Sequence, residues 1–277
     1  MSYESDIQEA FAKIAKRTAH PAPWRDVERL PWHDEEFSKS FLAAEELPPE
    51  TGEDEAQFIF DHLQGKKVLE LGCGGGRTAR SLLSLAENLH FIGVDIGFHP
   101  LLVARERCPK GGFARADMLA LPFDSSVFEM IFCVYGAFLG FRRQEALSIL
   151  RKTRSLLANN GIFILEFPSP HFLASLNGVQ EWWVGDSSFA GDFPQVGLSE
   201  NIHLANRQVY IRRDYVVDLR DGKLKEYGQT NCLYDEFETR ELLERCGFTV
   251  RAVYGDWDCR PFDEASERLI AISVLKD

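Results

Sequence analysis

The stretch Val68-Leu69-Glu70-Leu71-Gly72-Cys73-Gly74-Gly75-Gly76-Arg77 constrains this chain more than any other. Val68, Leu69 and Leu71 give an apolar run of strand length. The glycines that follow allow a tight turn and close backbone approach, because they lack a Cβ. A helix starting after them presents free peptide N–H groups and a partial positive charge to whatever sits in the turn. Gly74-Gly75-Gly76-Arg77-Thr78-Ala79 also fits G-x-G-x-x-A, a turn that seats the pyrophosphate of a dinucleotide. Glu70 argues against that ligand, because an acid two residues before Gly72 repels phosphates. It suits a ligand with a cationic amine and no phosphate.

S-adenosylmethionine is such a ligand. Here the chain resembles the class I S-adenosylmethionine-dependent methyltransferases, whose first motif, (D/E)-x-G-x-G-x-G, stands as Glu70-Leu71-Gly72-Cys73-Gly74-Gly75-Gly76. Asp95 ends the next apolar strand about twenty residues on, where an acid takes ribose hydroxyls in both ligand classes. Asp117-Met118 followed by Leu121-Pro122-Phe123 is similar to a further stretch of the family. The resemblance implies that Asp117 accepts the adenine amine and that the backbone of Met118 reaches the ring, with Ile96 and Gly97 beside it. A dinucleotide domain gives no reason for that acid and the Leu-Pro-Phe behind it. Glu70, Gly72, Cys73, Gly74, Arg77, Asp95, Ile96, Asp117, Met118, Val134 and Tyr135 are therefore the core candidates for cofactor binding.

Composition narrows the partners. The chain has 277 residues and a formal net charge of −12, which counts against nucleic acid, since phosphate binding needs a basic surface. Six cysteines show no C-x-x-C pair and no zinc spacing, so no metal is expected and the thiols read as reduced and cytoplasmic. No apolar run is long enough to span a membrane.

The rest of the chain organises around the glycine turn. Residues 1–52 form an N-terminal arm, with a helix over Asp6 to Arg17, irregular aromatic stretches around Trp24 and from Leu30 to Phe37, and Pro48-Pro49 as a stop. The resemblance implies that such an arm closes over the cofactor, and Trp24, Trp32, His33 and Phe37 are the lid candidates, Trp32 and Phe37 foremost. Residues 53–167 hold the cofactor-binding core. Val127 to Val134 is its fourth strand, and ligands in open parallel sheets bind beyond the carboxyl ends of strands. Val134 and Tyr135 thus face the reacting end of the cofactor, and Tyr135 is the one candidate for a chemical role. Asn159-Asn160-Gly161 is expected to stop the helix that begins near Arg142.

Residues 168–232 break the alternation of strand and helix. Arg207 to Leu219 and Leu224 to Leu233 read as an inserted antiparallel hairpin around Asp221-Gly222. Trp182, Trp183 and His203, with His171, Arg212 and Arg213, are substrate candidates there. Residues 233–277 complete the core sheet with two strands, and the loop Tyr254-Gly255-Asp256-Trp257-Asp258 offers Asp256, Trp257 and Asp258 to substrate.

The expected fold is α/β: a Rossmann-like, doubly wound sheet of seven strands, mostly parallel, with strand 7 antiparallel at the edge, an N-terminal helical arm and an inserted hairpin. The expected chemistry is methyl transfer from S-adenosylmethionine, with S-adenosylhomocysteine as product, to a nitrogen or oxygen of a small molecule, by a monomer or homodimer. Methylation of a protein or RNA, non-catalytic cofactor binding, and an NAD-type oxidoreductase are the alternatives.

Overall fold

The computed structural model describes residues 3–44 and 52–276. Pro48, Pro49 and Thr51, read above as a stop and a helix start, lie outside the described residues. The chain forms two compact units, Met1–Glu46 with Ala174–Asn231, and Leu47–Leu173 with Cys232–Asp277. The arm and the insertion, separate segments in the sequence, therefore belong to one unit.

In chain order the first unit supplies α1 (Tyr3–Thr18) and α2 (Glu35–Ala44). The second follows with α3 (Glu53–Asp61), β1 (Lys67–Leu71), α4 (Arg77–Leu85), β2 (His90–Asp95), α5 (Phe98–Arg107) and β3 (Gly112–Arg115). It continues with β4 (Phe128–Cys133), α6 (Arg143–Leu156) and β5 (Leu157–Pro168). After α7 (Pro170–Ser175) come β6 (Gln180–Gly185), β7 (Gln195–Leu204), β8 (Val209–Asp218) and β9 (Leu224–Cys232), then α8 (Glu236–Arg245), β10 (Phe248–Tyr254) and β11 (Arg268–Leu275).

The second unit is built on a seven-stranded sheet in the order β10-β11-β5-β4-β1-β2-β3. β1 pairs in parallel with β2 and β4, and β4 with β5. Met130, Ile131, Phe132 and Cys133 on β4 are all buried, as a strand covered on both faces requires. β11 runs antiparallel to both neighbours and lies between β5 and β10, so it sits one position in from the edge. The strand order reverses between β1 and β4, which opens a crevice at their carboxyl ends. One boundary differs from expectation. α6 ends at Leu156 and β5 begins at Leu157, so Asn159-Asn160-Gly161 lies within the strand, beside an irregularity in its register with β4, and does not stop the helix.

The first unit holds the sheet β6-β7-β8-β9, with α1 laying Ala10 and Ile14 against Val196, Leu198, Tyr215 and Val217. The hairpin from β8 to β9 turns at Asp221-Gly222 as read, Gly222 having φ of 68°. Two strands were not visible in the sequence. β7 buries Gln195, Ser199, Glu200 and Asn201, most of whose polar atoms have internal partners: Ser199 Oγ donates to Asp214, Gln195 Nε2 donates to two backbone carbonyls, and Glu200 Oε1 accepts from Gln180, while Glu200 Oε2 has none. Buried polar residues erase the alternation that would mark the strand. β6, its partner, keeps Trp182 exposed. α2 was also missed. Asp34 accepts from Phe37 N at 2.8 Å, which starts a helix inside the stretch read as irregular.

Candidate active site

β1 delivers the chain into the glycine turn at the crevice. Gly72 N and Cys73 N both donate to Val94 O, at 2.8 and 3.0 Å, which ties the turn to β2. Gly72, Gly74 and Gly76 have φ of 74°, 50° and 74°, a left-handed backbone that suits glycine. Their surroundings differ. A Cβ at Gly72 would stand 2.9 Å from Met118 Cε and 3.0 Å from Ala137 Cβ. A Cβ at Gly76 would stand 3.0 Å from Ala104 Cβ, and one at Gly74 would meet nothing within 4 Å. The outer two glycines permit close packing, and the central one faces open space. The Cys73 thiol turns away into the core beside Gly93, so Cys73 offers the turn its backbone alone.

Three acids surround the turn. Glu70 is buried at the end of β1, and its Oε2 has no hydrogen-bond partner. Burial pushes its carboxyl well above the usual range, Arg77 opposes that, and Asp95 and Glu55 add to it. A buried carboxylate oxygen without a donor is costly, so the site calls for a cation or a donor from a ligand. Asp95 ends β2 and accepts from Gly74 N at 2.9 Å through Oδ2 and from Gly97 N at 2.8 Å through Oδ1. These bonds fix its orientation and leave each oxygen a further acceptor site. Burial raises its carboxyl, and the Gly97 and Gly74 N–H groups hold it back. Asp117 is exposed after β3 and accepts from Leu119 N at 2.9 Å.

Beyond β4, Val134 is buried and Tyr135 is half exposed in a left-handed conformation, φ 63°. The Arg77 guanidinium lies over the Tyr135 ring and pairs with Glu55 at 2.8 Å. Tyr135 N donates to Glu166 Oε2 at 2.6 Å, and Arg268 stands 3.6 Å from the other oxygen. Glu55, Glu166 and Arg268 were not singled out in the sequence. The available signal for Glu166 was a charge inside the apolar run Ile162-Phe163-Ile164-Leu165-Glu166-Phe167.

The structure thus gathers Glu70, Gly72, Cys73, Gly74, Arg77, Asp95, Met118, Val134 and Tyr135 at one end of one sheet, with Ile96 and Asp117 exposed on the next loops. The other candidates have the following surroundings. Asp256 accepts from Asp258 N, Arg260 N and the Arg260 side chain, so its carboxylate is engaged within its own loop. Trp257 packs on Phe58, and Asp258 is exposed. Trp32 and Phe37 belong to the first unit, in an aromatic cluster with Phe41, Phe189 and Tyr227. Trp24 Nε1 donates to Thr230 there. In the same unit Trp183 covers Gly197, Trp182 meets Phe11 with ring centroids 4.8 Å apart, and His203 N donates to Asn177.

Part of the chain is similar to known methyltransferases. Residues 68–161 match the family model described as a methyltransferase domain. That segment is similar to a methyltransferase domain. Its limits take in β1 from Val68 on, the glycine turn, the three acids and Tyr135. The chain is 33% identical over 110 residues to a demethylmenaquinone methyltransferase of Thermus thermophilus, covering 38% of this chain and 49% of that one. It therefore spans about half the length of that curated relative. In fold it is similar to the CcbJ methyltransferase from Streptomyces caelestis, with a TM-score of 0.71 and 19% identity over 88% of this chain and 100% of that one. It is also similar to the S-adenosylmethionine-bound CalS10, an amino pentose methyltransferase from Micromonospora echinaspora, with a TM-score of 0.59 and 16% identity over 93% and 100% of the two chains. The crevice fits S-adenosylmethionine on its own observations: an orphaned buried carboxylate for a cationic amine, an open glycine, and an oriented acid for a diol. Among the described residues no group of three or more side chains could hold a metal ion, and no helix is long and apolar enough to cross a membrane.

Proposed function

We propose that this protein transfers a methyl group from S-adenosylmethionine to a nitrogen or oxygen of a small molecule in the cytoplasm. The unpartnered Glu70 oxygen carries the reading, because a dinucleotide offers it phosphates where S-adenosylmethionine offers an ammonium. When bound, the cofactor supplies a methyl already activated on a sulfonium sulfur. In this reading Glu70 holds the amine, Asp95 accepts from the ribose hydroxyls and Asp117 meets the adenine amine. The left-handed glycines let the backbone approach the ligand closely. Val134 and Tyr135 wall the reacting end, where holding acceptor and methyl in line supplies much of the rate. A small-molecule acceptor is supported by the relatives, one named for demethylmenaquinone and one for an amino pentose. Trp182, Trp183, His203, Asp256, Trp257 and Asp258 are the substrate-side candidates, and Trp32 and Phe37 the lid candidates. The net charge of −12 counts against an RNA acceptor.

Calorimetric titration tests this reading. S-adenosylhomocysteine is expected to bind with micromolar affinity and NAD not at all. Asp95→Asn, which keeps shape and loses charge, should weaken binding at least tenfold, about the value of one hydrogen bond to a charged group. Binding of NAD, or of neither ligand, would overturn the proposal.

A further inference from the structure

Glu166 is a carboxylate where the sheet has no evident need of one. It lies on β5, buried, opposite Ile270 of β11, with Arg268 3.6 Å from its Oε1. Replacing such a group by an apolar one would ordinarily favour the fold. Its partner explains its presence. Tyr135 and Gly136 are consecutive left-handed residues, φ 63° and 67°, immediately after β4. A bulky aromatic residue holds that backbone only when its surroundings impose it. The peptide N–H of Tyr135 points at Glu166 Oε2, 2.6 Å away. The turn then aims the Tyr135 ring at the Arg77 guanidinium, beside the glycine turn.

We infer that Glu166 is a positioning residue for Tyr135: its carboxylate holds the Tyr135 peptide in the left-handed turn and so sets the Tyr135 ring against Arg77 at the crevice between β1 and β4. The hold on Tyr135 stands on the geometry alone; its consequence for methyl transfer rests on the proposed function. The ionised form is the stronger acceptor of the N–H. Burial raises the Glu166 carboxyl to about 7, against the pull of the Tyr135 N–H and of Arg268 on β11. Glu55 on α3 pushes in the same direction as burial, Arg77 on α4 opposes it, and two further titratable neighbours, the Cys133 thiol on β4 and the Tyr135 phenol, are themselves pushed up by burial. The grip on Tyr135 therefore strengthens as pH rises through neutrality.

Two measurements on the full chain test this. In amide NMR spectra without ligand, the Tyr135 N–H should lie far downfield above pH 8 and move upfield as pH falls through about 7. In Glu166→Gln, which keeps an acceptor oxygen and cannot titrate, that movement should vanish. S-adenosylhomocysteine affinity should rise with pH through the same range in the natural protein, rise less in Glu166→Gln, where Glu70 and Asp95 still titrate, and fall about tenfold in Glu166→Leu. A Tyr135 amide that does not titrate, or that titrates equally in Glu166→Gln, would overturn the inference. So would equal ligand affinity at all pH values in all three proteins. If the amide behaves as expected and no variant binds S-adenosylhomocysteine at any pH, the hold on Tyr135 stands and the proposed function falls.

Discussion

A single Cβ separates packing from ligand approach in the glycine turn. Gly74 has φ of 50° and open space where a Cβ would go. Gly74→Ala should therefore cost about 1 kcal/mol, the strain of a left-handed alanine, and little more. The added methyl stands where the ligand must come, so S-adenosylhomocysteine affinity should drop at least tenfold. Gly72→Ala meets Met118 Cε at 2.9 Å and Ala137 Cβ at 3.0 Å in addition to the strain, and should cost about 2–3 kcal/mol. Denaturant melts and calorimetry on the two variants would separate the effects; equal stability losses would mean that Gly74 packs as tightly as Gly72. At this scale the sequence disclosed the acids that stand beside glycines or at strand ends. Glu70, Asp95 and Asp117 are each marked by their position in a strand–turn pattern. Glu166 was hidden because its partner is a backbone N–H, which no side-chain pattern records. Asp256, an acid next to an aromatic residue at a strand end, also accepts from Asp258 N and Arg260 N, bonds within its own loop that the sequence did not show.

Elements were legible where local signals agree with burial. The parallel strands of the core read as apolar runs because both faces are covered, and the hairpin at Asp221-Gly222 declared its turn. β6 and β7 were not legible, because β7 buries polar residues whose partners sit on β8 and in the preceding loop. The grouping of α1 with that sheet was equally invisible, since sequence periodicity gives a helix an inner face and does not say what covers it. The structure makes that packing testable. Ile14 is fully buried against Val196, Leu198, Tyr215 and Val217, so Ile14→Ala should cost about 2–4 kcal/mol in denaturant unfolding. Phe237, on α8 and 75% exposed, should change stability by less than about 0.5 kcal/mol when replaced by alanine. A small effect at Ile14 would mean that α1 is not part of the first unit's core.

The whole molecule carries several carboxyls whose burial opposes ionisation. Glu70, Asp95 and Glu166 are all raised above their ordinary values, with burial the largest cause in each. A raised carboxyl makes the folded state bind more protons than the unfolded one. The stability it contributes is full below the unfolded value and is lost as pH rises through the folded one. For Glu166 that window runs from 4.5 to about 7, a loss of roughly 3 kcal/mol. The free protein should therefore melt at lower temperature at pH 8 than at pH 5, and its net charge of −12 adds self-repulsion in the same direction. Glu70→Gln and Glu166→Gln should each flatten that slope, because each removes a charge that the fold must enclose. Ligand should act differently on the two. S-adenosylhomocysteine at about a hundred times its dissociation constant adds roughly 2.7 kcal/mol by mass action. Its ammonium also answers the Glu70 carboxylate, so the gain in melting temperature should be larger at pH 8 than at pH 5 in the natural protein and independent of Glu70 ionisation in Glu70→Gln. Scanning calorimetry across that range, with and without ligand, checks both. A melting temperature that climbs from pH 5 to pH 8 without ligand would mean that these carboxylates are solvated, and that the crevice does not hold the unanswered charge on which cofactor choice depends.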